Sequence, residues 1–308
     1  MHQPVLLKAV IELMDVKRGG AYVDGTVGAG GHSEELLKRI GSEGKLLGID
    51  RDAGALAEIR KRWAGKAPGN MVLEHGNFAD MMAIAQRNGM QAVNGILLDV
   101  GFSSDQVDAA ERGFSFMREG PLDMRMDRSQ SLTAADLVNQ TDESTLAWMI
   151  RKYGEEPAAG RIARAIVRER CLAPIRTTTQ LASIIETAKG GRRGGLHPAT
   201  QTFQALRIAV NGELEALERG LEAALPLLAV GGRLAVITFH SLEDRIVKNF
   251  FMRHAGRWES LQEGGRRWVG ERPVVKRITR KPRTASPEEI EQNPRARSAK
   301  LRVIERTE

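Results

Sequence analysis

A glycine-rich segment that follows a short apolar run carries the residues best suited to binding a ligand. The run 21–24 predicts a strand, and Gly28 and Gly30 predict a tight turn into a helix that begins near residue 33. A second apolar run ends in Asp50, which lies 20 residues after Gly30. At that spacing a strand-end carboxylate meets the two hydroxyls of a nucleoside ribose. These residues predict a nucleoside-containing cofactor, and an ordinary structural turn is the alternative.

Two positions around these glycines indicate the type of cofactor. Ser33 occupies the place where a dinucleotide-binding fingerprint has its third glycine, so that fingerprint is incomplete. Asp24 lies four residues before Gly28. Its carboxylate would repel a pyrophosphate, whereas it would attract the α-amino group of S-adenosylmethionine. The residues therefore favour a methyl-donor site over a nicotinamide site.

Length and composition narrow the class of protein. A chain of 308 residues with 42% hydrophobic content predicts one large domain or two modest ones. No apolar run approaches the roughly 20 residues that span a bilayer, and the first residues lack the pattern of a signal peptide. The single cysteine, Cys171, excludes an internal disulfide, and the six scattered histidines show no metal-ligand spacing. We therefore expect a cytoplasmic protein that is independent of metal and membrane.

The net charge of +7 is concentrated near the C-terminus. Residues 253–308 contain 15 Lys/Arg and 8 Asp/Glu, a balance of +7, so the preceding residues are neutral overall. Such a local excess is typical of a surface that binds a polyanion. Nucleic acid is favoured over a membrane because no amphipathic helix or acylation motif accompanies the charge. A basic surface that serves only solubility is the alternative.

Apolar strands alternate with amphipathic helices over the first hundred residues, which predicts a parallel sheet with helices on both faces. Ligands of such sheets bind at the carboxyl ends of the strands. Asp24, Asp50, the turn 76–78 and Asp99 all fall at that edge. The predicted strands are 21–24, 45–50, 71–75 and 95–99, and the predicted helices between them are 33–40, 53–63 and 78–88.

The alternation stops after Asp99 for about a hundred residues. A loop-like stretch, several short helical patterns and the Gly/Arg-rich link 190–195 occupy this part, and sheet character returns only at 232–239. We therefore predict an α/β sheet interrupted by an all-helical insertion. The predicted segments are 1–102 for the first part of the sheet domain, 103–197 for the insertion and 198–308 for the second part. The second part would begin with one long amphipathic helix, 199–228, and end with an edge strand, 300–304.

Several motifs identify a family that the chain resembles over almost its entire length. It is similar to the RsmH/MraW family of bacterial 16S rRNA (cytosine-N4)-methyltransferases. The blocks Arg-Gly-Phe-Ser-Phe and Asp-Met-Arg-Met-Asp are far more specific than a glycine-rich turn. The matching stretches lie at 2–7, 24–33, 48–52, 96–104, 111–116, 121–127, 197–200, 239–245 and 293–298.

The resemblance implies a fold, a reaction and a set of cofactor contacts. The fold would be a class I S-adenosylmethionine-dependent methyltransferase (Rossmann-like) sheet with an inserted all-helical domain. The acceptor would be the N4 amine of a cytosine in the decoding region of 16S rRNA within the small ribosomal subunit. Matching positions place Gly30, Gly31 and His32 at the methionine part of the cofactor and Asp50 at the ribose. They place Phe78 on the adenine side, and Asp99 and Gln106 at the end of the fourth strand.

Methyl transfer to N4 requires accurate positioning, because the lone pair of that amine is delocalised into the ring. Asp99 is our candidate catalytic residue, with Ser103 and Ser104 beside it. His240 is a further candidate, and capping the following helix is its alternative role.

The target base is expected to be unstacked when it is read, because RNA bases are recognised in that state. Phe114 and Phe116 could stack on it, or they could pack in the core of the insertion. The basic segment 276–283 would follow phosphates.

Three other classes of function stay open at this point. The chain could be an RNA-binding assembly factor of the small subunit with little turnover. It could also be a methyltransferase for a small molecule or a protein, although that function would not need the basic C-terminal part. A nicotinamide-dependent oxidoreductase is disfavoured by Asp24 and Ser33. The sequence leaves the oligomeric state open, a dimer included.

Overall fold

The fold was analysed in a computed structural model that describes residues 4–64, 70–191, 195–260, 264–269 and 273–308. Within these ranges, none of the helices combines the length and the apolar character that crossing a membrane requires. The strands are β1 (Ala21–Asp24), β2 (Lys45–Asp50), β3 (Met71–His75), β4 (Val93–Asp99), β5 (Leu228–Thr238), β6 (Arg257–Ser260), β7 (Arg266–Val269), β8 (Val275–Arg277) and β9 (Lys300–Arg306).

The helices predicted at 33–40, 53–63 and 78–88 are present, the last as a 3₁₀ turn followed by an α-helix, whereas the helix at 7–14 was not predicted. Phe78–Asp80, Ala110–Arg112 and Pro294–Ser298 form short 3₁₀ turns. The α-helices are α1 (Leu7–Met14), α2 (Gly31–Ile40), α3 (Ala53–Trp63), α4 (Met81–Arg87), α5 (Ser104–Asp108), α6 (Ala134–Gln140), α7 (Glu143–Gly154), α8 (Ala159–Leu172), α9 (Thr178–Lys189), α10 (Thr200–Asn211), α11 (Glu213–Leu227), α12 (Ser241–Ala255) and α13 (Pro287–Gln292).

Seven strands form one sheet in the order β3-β2-β1-β4-β5-β9-β8. Strands β1 to β5 are parallel to one another, and β9 and β8 pair in antiparallel fashion at the far side. The chain order reverses between β1 and β4, and this reversal is the switch point at which doubly wound sheets bind their ligands. The fold class expected from the sequence is confirmed.

The register of the sheet brings the ends of the central strands within two residues of one another. Asp24 pairs with Gly48 of β2 and with Leu97 of β4. Asp50 is the last residue of β2, and Asp99 is the last residue of β4. The predicted acidic row at the carboxyl edge therefore exists, and two of its members flank the switch point.

The described chain divides into two compact units, Met1–Gly101 with Leu214–Glu308, and Phe102–Glu213. In the first unit apolar side chains cover both faces of the sheet. In the second unit a separate apolar core is formed by helices α6 to α10. The expected insertion ended at residue 197, whereas this compact unit extends to Glu213. The difference arises because α10 packs against α7 and contributes Phe203 and Leu206 to the core of the second unit.

The long helix expected over 199–228 is wrong, because the structure has two helices there. Gly212 interrupts the pattern with φ of +56°, a left-handed conformation that ends α10. The periodicity continues across Gly212, so hydrophobic spacing did not reveal the break. Of the Gly/Arg-rich link 190–195, residues 192–194 lie outside the described residues.

The expected edge position of the final strand is also wrong. Strand β9 lies between β5 and β8, so β8 forms the edge of the sheet. The alternating charges of β9 have partners within the same unit. The guanidinium of Arg302 contacts Asp244 of α12 at 2.7 Å, and Glu305 pairs with Arg233 of β5 at 2.8 Å. Ion pairing therefore accounts for the charges that suggested a solvent-exposed strand.

Candidate active site

The turn after β1 has the conformation that its glycines predict. Gly28 and Gly30 have φ of +51° and +79°, a region that residues with a β-carbon rarely adopt. The amide of Gly30 donates to the carbonyl of Val27 at 2.7 Å, which closes the turn. Helix α2 begins directly afterwards at Gly31, so its positive end faces the carboxyl edge of the sheet.

Asp24 is almost fully buried at the end of β1 and is held by two donors. The hydroxyl of Ser33 donates to its Oδ2 at 2.5 Å, and the amide of Thr26 donates to its Oδ1 at 3.1 Å. Burial raises the pKa of Asp24 to about 6, and these hydrogen bonds only partly oppose that effect. A buried carboxylate of this kind is stabilised when a cation binds beside it. Ser33 thus serves as a hydrogen-bond donor to Asp24, where a dinucleotide site would have a glycine.

Asp50 binds the backbone on both sides of the site. Its Oδ2 accepts from the amide of Gly28 at 2.7 Å, and its Oδ1 accepts from the amide of Asp52 at 2.8 Å. Its pKa is raised, mainly because the carboxyl group is buried. Each carboxylate oxygen can accept more than one hydrogen bond, so both retain capacity for ligand hydroxyls. The geometry is compatible with the predicted ribose contact.

Asp99 is the most strongly perturbed carboxyl group of the row. Burial, together with the charges of Asp24 and Glu243, raises its pKa to about 8. Its Oδ2 lies 3.6 Å from Nδ1 of His32, and 23% of its side chain is exposed. Its Oδ1 is buried without a hydrogen-bond partner. Asp99 therefore offers one unsatisfied oxygen at the switch point of the sheet.

Thr26 is a site residue that sequence reasoning missed. Its hydroxyl oxygen accepts the backbone N–H of Asp99 at 2.6 Å and so joins the turn after β1 to the end of β4. Thr26 and Asp99 are 73 residues apart, and neither spacing nor periodicity signals such a contact. Only the parallel pairing of β1 with β4 brings the two residues together.

Phe78 and Gln106 have surroundings that sequence did not predict. The ring of Phe78 is buried in the core and lies against Gly220 of α11, so any contact with adenine would come from its backbone. Gln106 is buried in the second unit, where its side-chain oxygen accepts the amide of Ser103 at 3.0 Å. The hydroxyl of Ser103 accepts the amide of Gln106 at 3.2 Å. The roles of both residues in cofactor binding stay predictions.

The structure shows the capping role of His240. Its Nδ1 accepts the amide of Glu243 at 3.4 Å, and the carboxylate of Glu243 in turn accepts the amide of His240 at 3.2 Å. The two residues form a capping box at the start of α12. Its Nε2 lies 3.0 Å from Oε1 of Glu243. A role of His240 as a base stays a prediction.

The two phenylalanines considered for base stacking differ in their surroundings. Phe116 packs against His197, with ring centroids 4.5 Å apart, and against Phe203 at 4.9 Å. These contacts favour the interpretation that Phe116 packs in the core of the insertion. Phe114 is half-buried and stacks on Phe102 at 6.0 Å. Phe102 is itself 42% exposed, so this pair keeps an accessible aromatic surface.

The raised pKa of Asp99 predicts an effect on stability. The folded protein binds this proton more tightly than the unfolded chain does, since the pKa is about 8 in the fold and 3.8 ordinarily. Its stabilising contribution is therefore complete at low pH and is lost as the pH rises from about 4 to about 8. We expect Asp99→Asn to raise the Tm of the cofactor-free protein at about pH 8.5, with a smaller gain at about pH 5.5. Scanning fluorimetry measures both values, and a lower Tm for the variant at the higher pH would contradict the expectation.

Strand order, the glycine turn and the acidic row together define the chain as a protein of the class I methyltransferase type. The MraW methylase family matches residues 1–307. Two relatives named ribosomal RNA small subunit methyltransferase H show how close the similarity is. The one from Symbiobacterium thermophilum is 50% identical, covering 98% of this chain and 96% of the relative. The one from Dehalococcoides mccartyi is 51% identical, covering 99% and 86%. The chain therefore belongs to the MraW methylase family.

A solved structure described as a putative rRNA methylase from Clostridium thermocellum has a TM-score of 0.47 to this chain. The two sequences are 13% identical, and the alignment covers 99% of each chain.

Proposed function

We propose that this protein transfers the methyl group of S-adenosylmethionine to the N4 amine of a cytosine in 16S rRNA of the small ribosomal subunit. The observation that carries the proposal is the row Asp24, Asp50 and Asp99 along the carboxyl edge of β1, β2 and β4. Membership of the MraW methylase family and the names of the relatives support rRNA as the substrate class.

The residues present fit the proposed cofactor. Asp24 is a buried carboxylate with a raised pKa, and the α-ammonium group of the cofactor would stabilise its charge. Asp50 would accept the ribose hydroxyls, and the open backbone at Gly28 would let the methionine part approach the start of α2. When bound, S-adenosylmethionine supplies a methyl group on a positively charged sulfur, which is already a good electrophile.

The task of the protein is then to orient the amine and to receive its proton. The carboxyl group of Asp99, whose side chain is 23% exposed, would accept a hydrogen bond from N4, which turns the lone pair away from the ring. The buried surroundings that raise the pKa of Asp99 also make its carboxylate a stronger proton acceptor. A bound cation would lower the pKa of Asp99 and so favour its ionised form.

The decisive experiment is mass mapping of 16S rRNA after incubation with purified protein, cofactor and small-subunit particles that lack the modification. We expect a single cytosine to gain one methyl group on N4. Single-turnover transfer separates the enzyme from an assembly factor that binds RNA with little turnover. Methylation of a small molecule with no transfer to RNA would overturn the proposal.

The basic segment 276–283 supports RNA as the partner. It begins at the edge strand β8, and four of its five cationic residues are exposed while Arg277 is half-buried. Within the described part of the chain, their charges have no acidic side chain as an ion-pair partner. The five residues are Lys276, Arg277, Arg280, Lys281 and Arg283.

Replacing these five residues by alanine should make RNA binding less dependent on salt. If they make three or four phosphate contacts, the slope of log affinity against log salt should fall by roughly 2–3. Binding titrations at several salt concentrations measure the slope. Lys17, Lys38 and Lys61 provide the control, because each is exposed but already paired with an acidic side chain. A slope equal to that of the parent protein would show that this segment does not bind phosphates.

A further inference from the structure

The segment Pro4–Leu6 lies across the glycine turn of the candidate site, and the proposed function gives it no role. A β-carbon on Gly31 would lie 2.3 Å from Cγ of Pro4, which is far inside van der Waals contact. Only glycine at position 31 therefore allows Pro4 to pack so closely. Val5 and Leu6 are buried as well. The segment is thus a tightly packed part of the turn rather than a loose terminal extension.

The carbonyl of Val5 determines which nitrogen of His32 carries the proton. Nε2 of His32 lies 3.0 Å from the Val5 carbonyl oxygen, and both groups are buried. A carbonyl only accepts hydrogen bonds, so Nε2 must be the donor. The neutral ring then presents the lone pair of Nδ1 on the side that faces Asp99.

Nδ1 of His32 and Oδ2 of Asp99 are 3.6 Å apart, so a small shift would join them by a hydrogen bond. Asp24 of β1 and Glu243 of α12 are the charged groups that act on Asp99. Both are acidic and raise the pKa of Asp99, which is about 8. The carboxyl group is therefore protonated at neutral pH in the absence of ligands, and its O–H faces an acceptor. The tautomer of His32 thus affects how the carboxyl group of Asp99 is oriented.

The conformation of Leu6 depends on a residue near the other end of the chain. Leu6 has φ of +55°, a strained left-handed conformation for a leucine. Its amide donates to Oε1 of Glu289 at 2.6 Å, across 283 residues of sequence. Glu289 lies in the first turn of α13, where its own amide donates to the hydroxyl of Ser286. Two anchored elements therefore hold Leu6 in place, and the position of the Val5 carbonyl follows from this.

We propose that Glu289 is a positioning residue for the methyl-transfer site, acting through Leu6, the Val5 carbonyl and His32 on the carboxyl group of Asp99. The proposal rests on the proposed function in the test that measures activity. The NMR test does not depend on that function. Glu289 contacts neither substrate nor cofactor in this scheme. The chain offers a matched control in Glu288, a neighbouring exposed carboxylate in the same helical turn.

The first test compares Glu289→Ala, Glu289→Gln and Glu288→Ala in the full-length protein. Glu289→Gln keeps an oxygen acceptor for the Leu6 amide, whereas Glu289→Ala removes it. We expect Glu289→Ala to lower kcat about tenfold and to move the limb of the pH–rate profile that reports Asp99. Glu289→Gln should stay close to the parent enzyme, and Glu288→Ala should match it. Equal loss in both Glu289 variants, or an unchanged pH–rate profile in Glu289→Ala, would overturn the proposal.

The second test does not require activity. Long-range ¹H–¹⁵N NMR spectra of the cofactor-free protein distinguish the two neutral tautomers of a histidine ring. The signal of His32 is identified by its absence from a His32→Gln variant. We expect only the Nε2-protonated form in the parent protein and in Glu288→Ala, and a mixture of tautomers in Glu289→Ala. Tautomer signals that are identical in all three proteins would overturn the proposal, even if methyl transfer to RNA were established.

Discussion

Asp99→Asn should lower the rate of methyl transfer by on the order of 100-fold or more, with the fold intact. The substitution preserves the size of the side chain but removes its ability to hold a proton. Asp99 ends β4 at the switch point of the sheet with 23% of its side chain exposed, and in the proposed function its carboxyl group borders the amine of the acceptor. Single-turnover rates with saturating cofactor and small-subunit particles measure the effect on the chemical step.

A control variant and a measurement of cofactor affinity test whether the loss of transfer is specific to the site. Asp80→Asn is the control, because it removes an exposed carboxylate that pairs with Arg219 at the surface. Cofactor affinity of Asp99→Asn should fall less than the transfer rate, since Asp99 borders both ligands. Transfer at the parental rate, or a product methylated on ring carbon five instead of N4, would show that Asp99 does not act on the amine.

Asp50→Ala should weaken binding of S-adenosylmethionine by about 1.5–3 kcal/mol, the scale of losing charge-assisted hydrogen bonds. This difference corresponds to roughly 10- to 150-fold in Kd. Two causes act together, because Asp50 would bind the ribose hydroxyls and also holds the amide of Gly28 in the glycine turn. Calorimetric titration with the cofactor measures the change, and RNA affinity should hardly differ from that of the parent protein.

Asp50→Asn separates these two causes. Asparagine keeps one oxygen acceptor, so it should preserve the bond to one backbone amide while weakening the ribose contacts. We therefore expect its cofactor affinity to lie between those of the parent protein and Asp50→Ala. If calorimetry shows unchanged affinity in both variants, Asp50 is not at the ribose, and the spacing of 20 residues from Gly30 has no functional meaning.

The sequence by itself determined the central sheet and the acidic row. Strand and helix periods alternate clearly over residues 21–99, and parallel strands connected by helices must bring their carboxyl ends to one edge. The positions of Asp24, Asp50 and Asp99 follow from those local signals, because each residue ends an apolar run. The glycine turn was equally predictable, because positive φ and close packing favour glycine.

Tertiary structure alone decided where several predicted elements lie. Strand β9 is interior because Arg302 and Glu305 find ionic partners within the same unit, and an alternating sequence cannot reveal such partners. Helix α10 belongs to the second compact unit because of the core into which its apolar face packs. Periodicity identifies an apolar face, but it does not identify what that face contacts.

The surroundings of Asp99 show most clearly what the sequence determines and what only the tertiary structure decides. Its place at the end of β4 was predictable, whereas its pKa of about 8 results from burial and from the charges of Asp24 and Glu243, which distant parts of the chain supply. The contact from Glu289 to Leu6 joins residues 283 positions apart. Local signals in a sequence extend over a few turns of helix or a few strands. The electrostatics and the orientation of the Asp99 carboxyl group therefore depend on the folded chain as a whole.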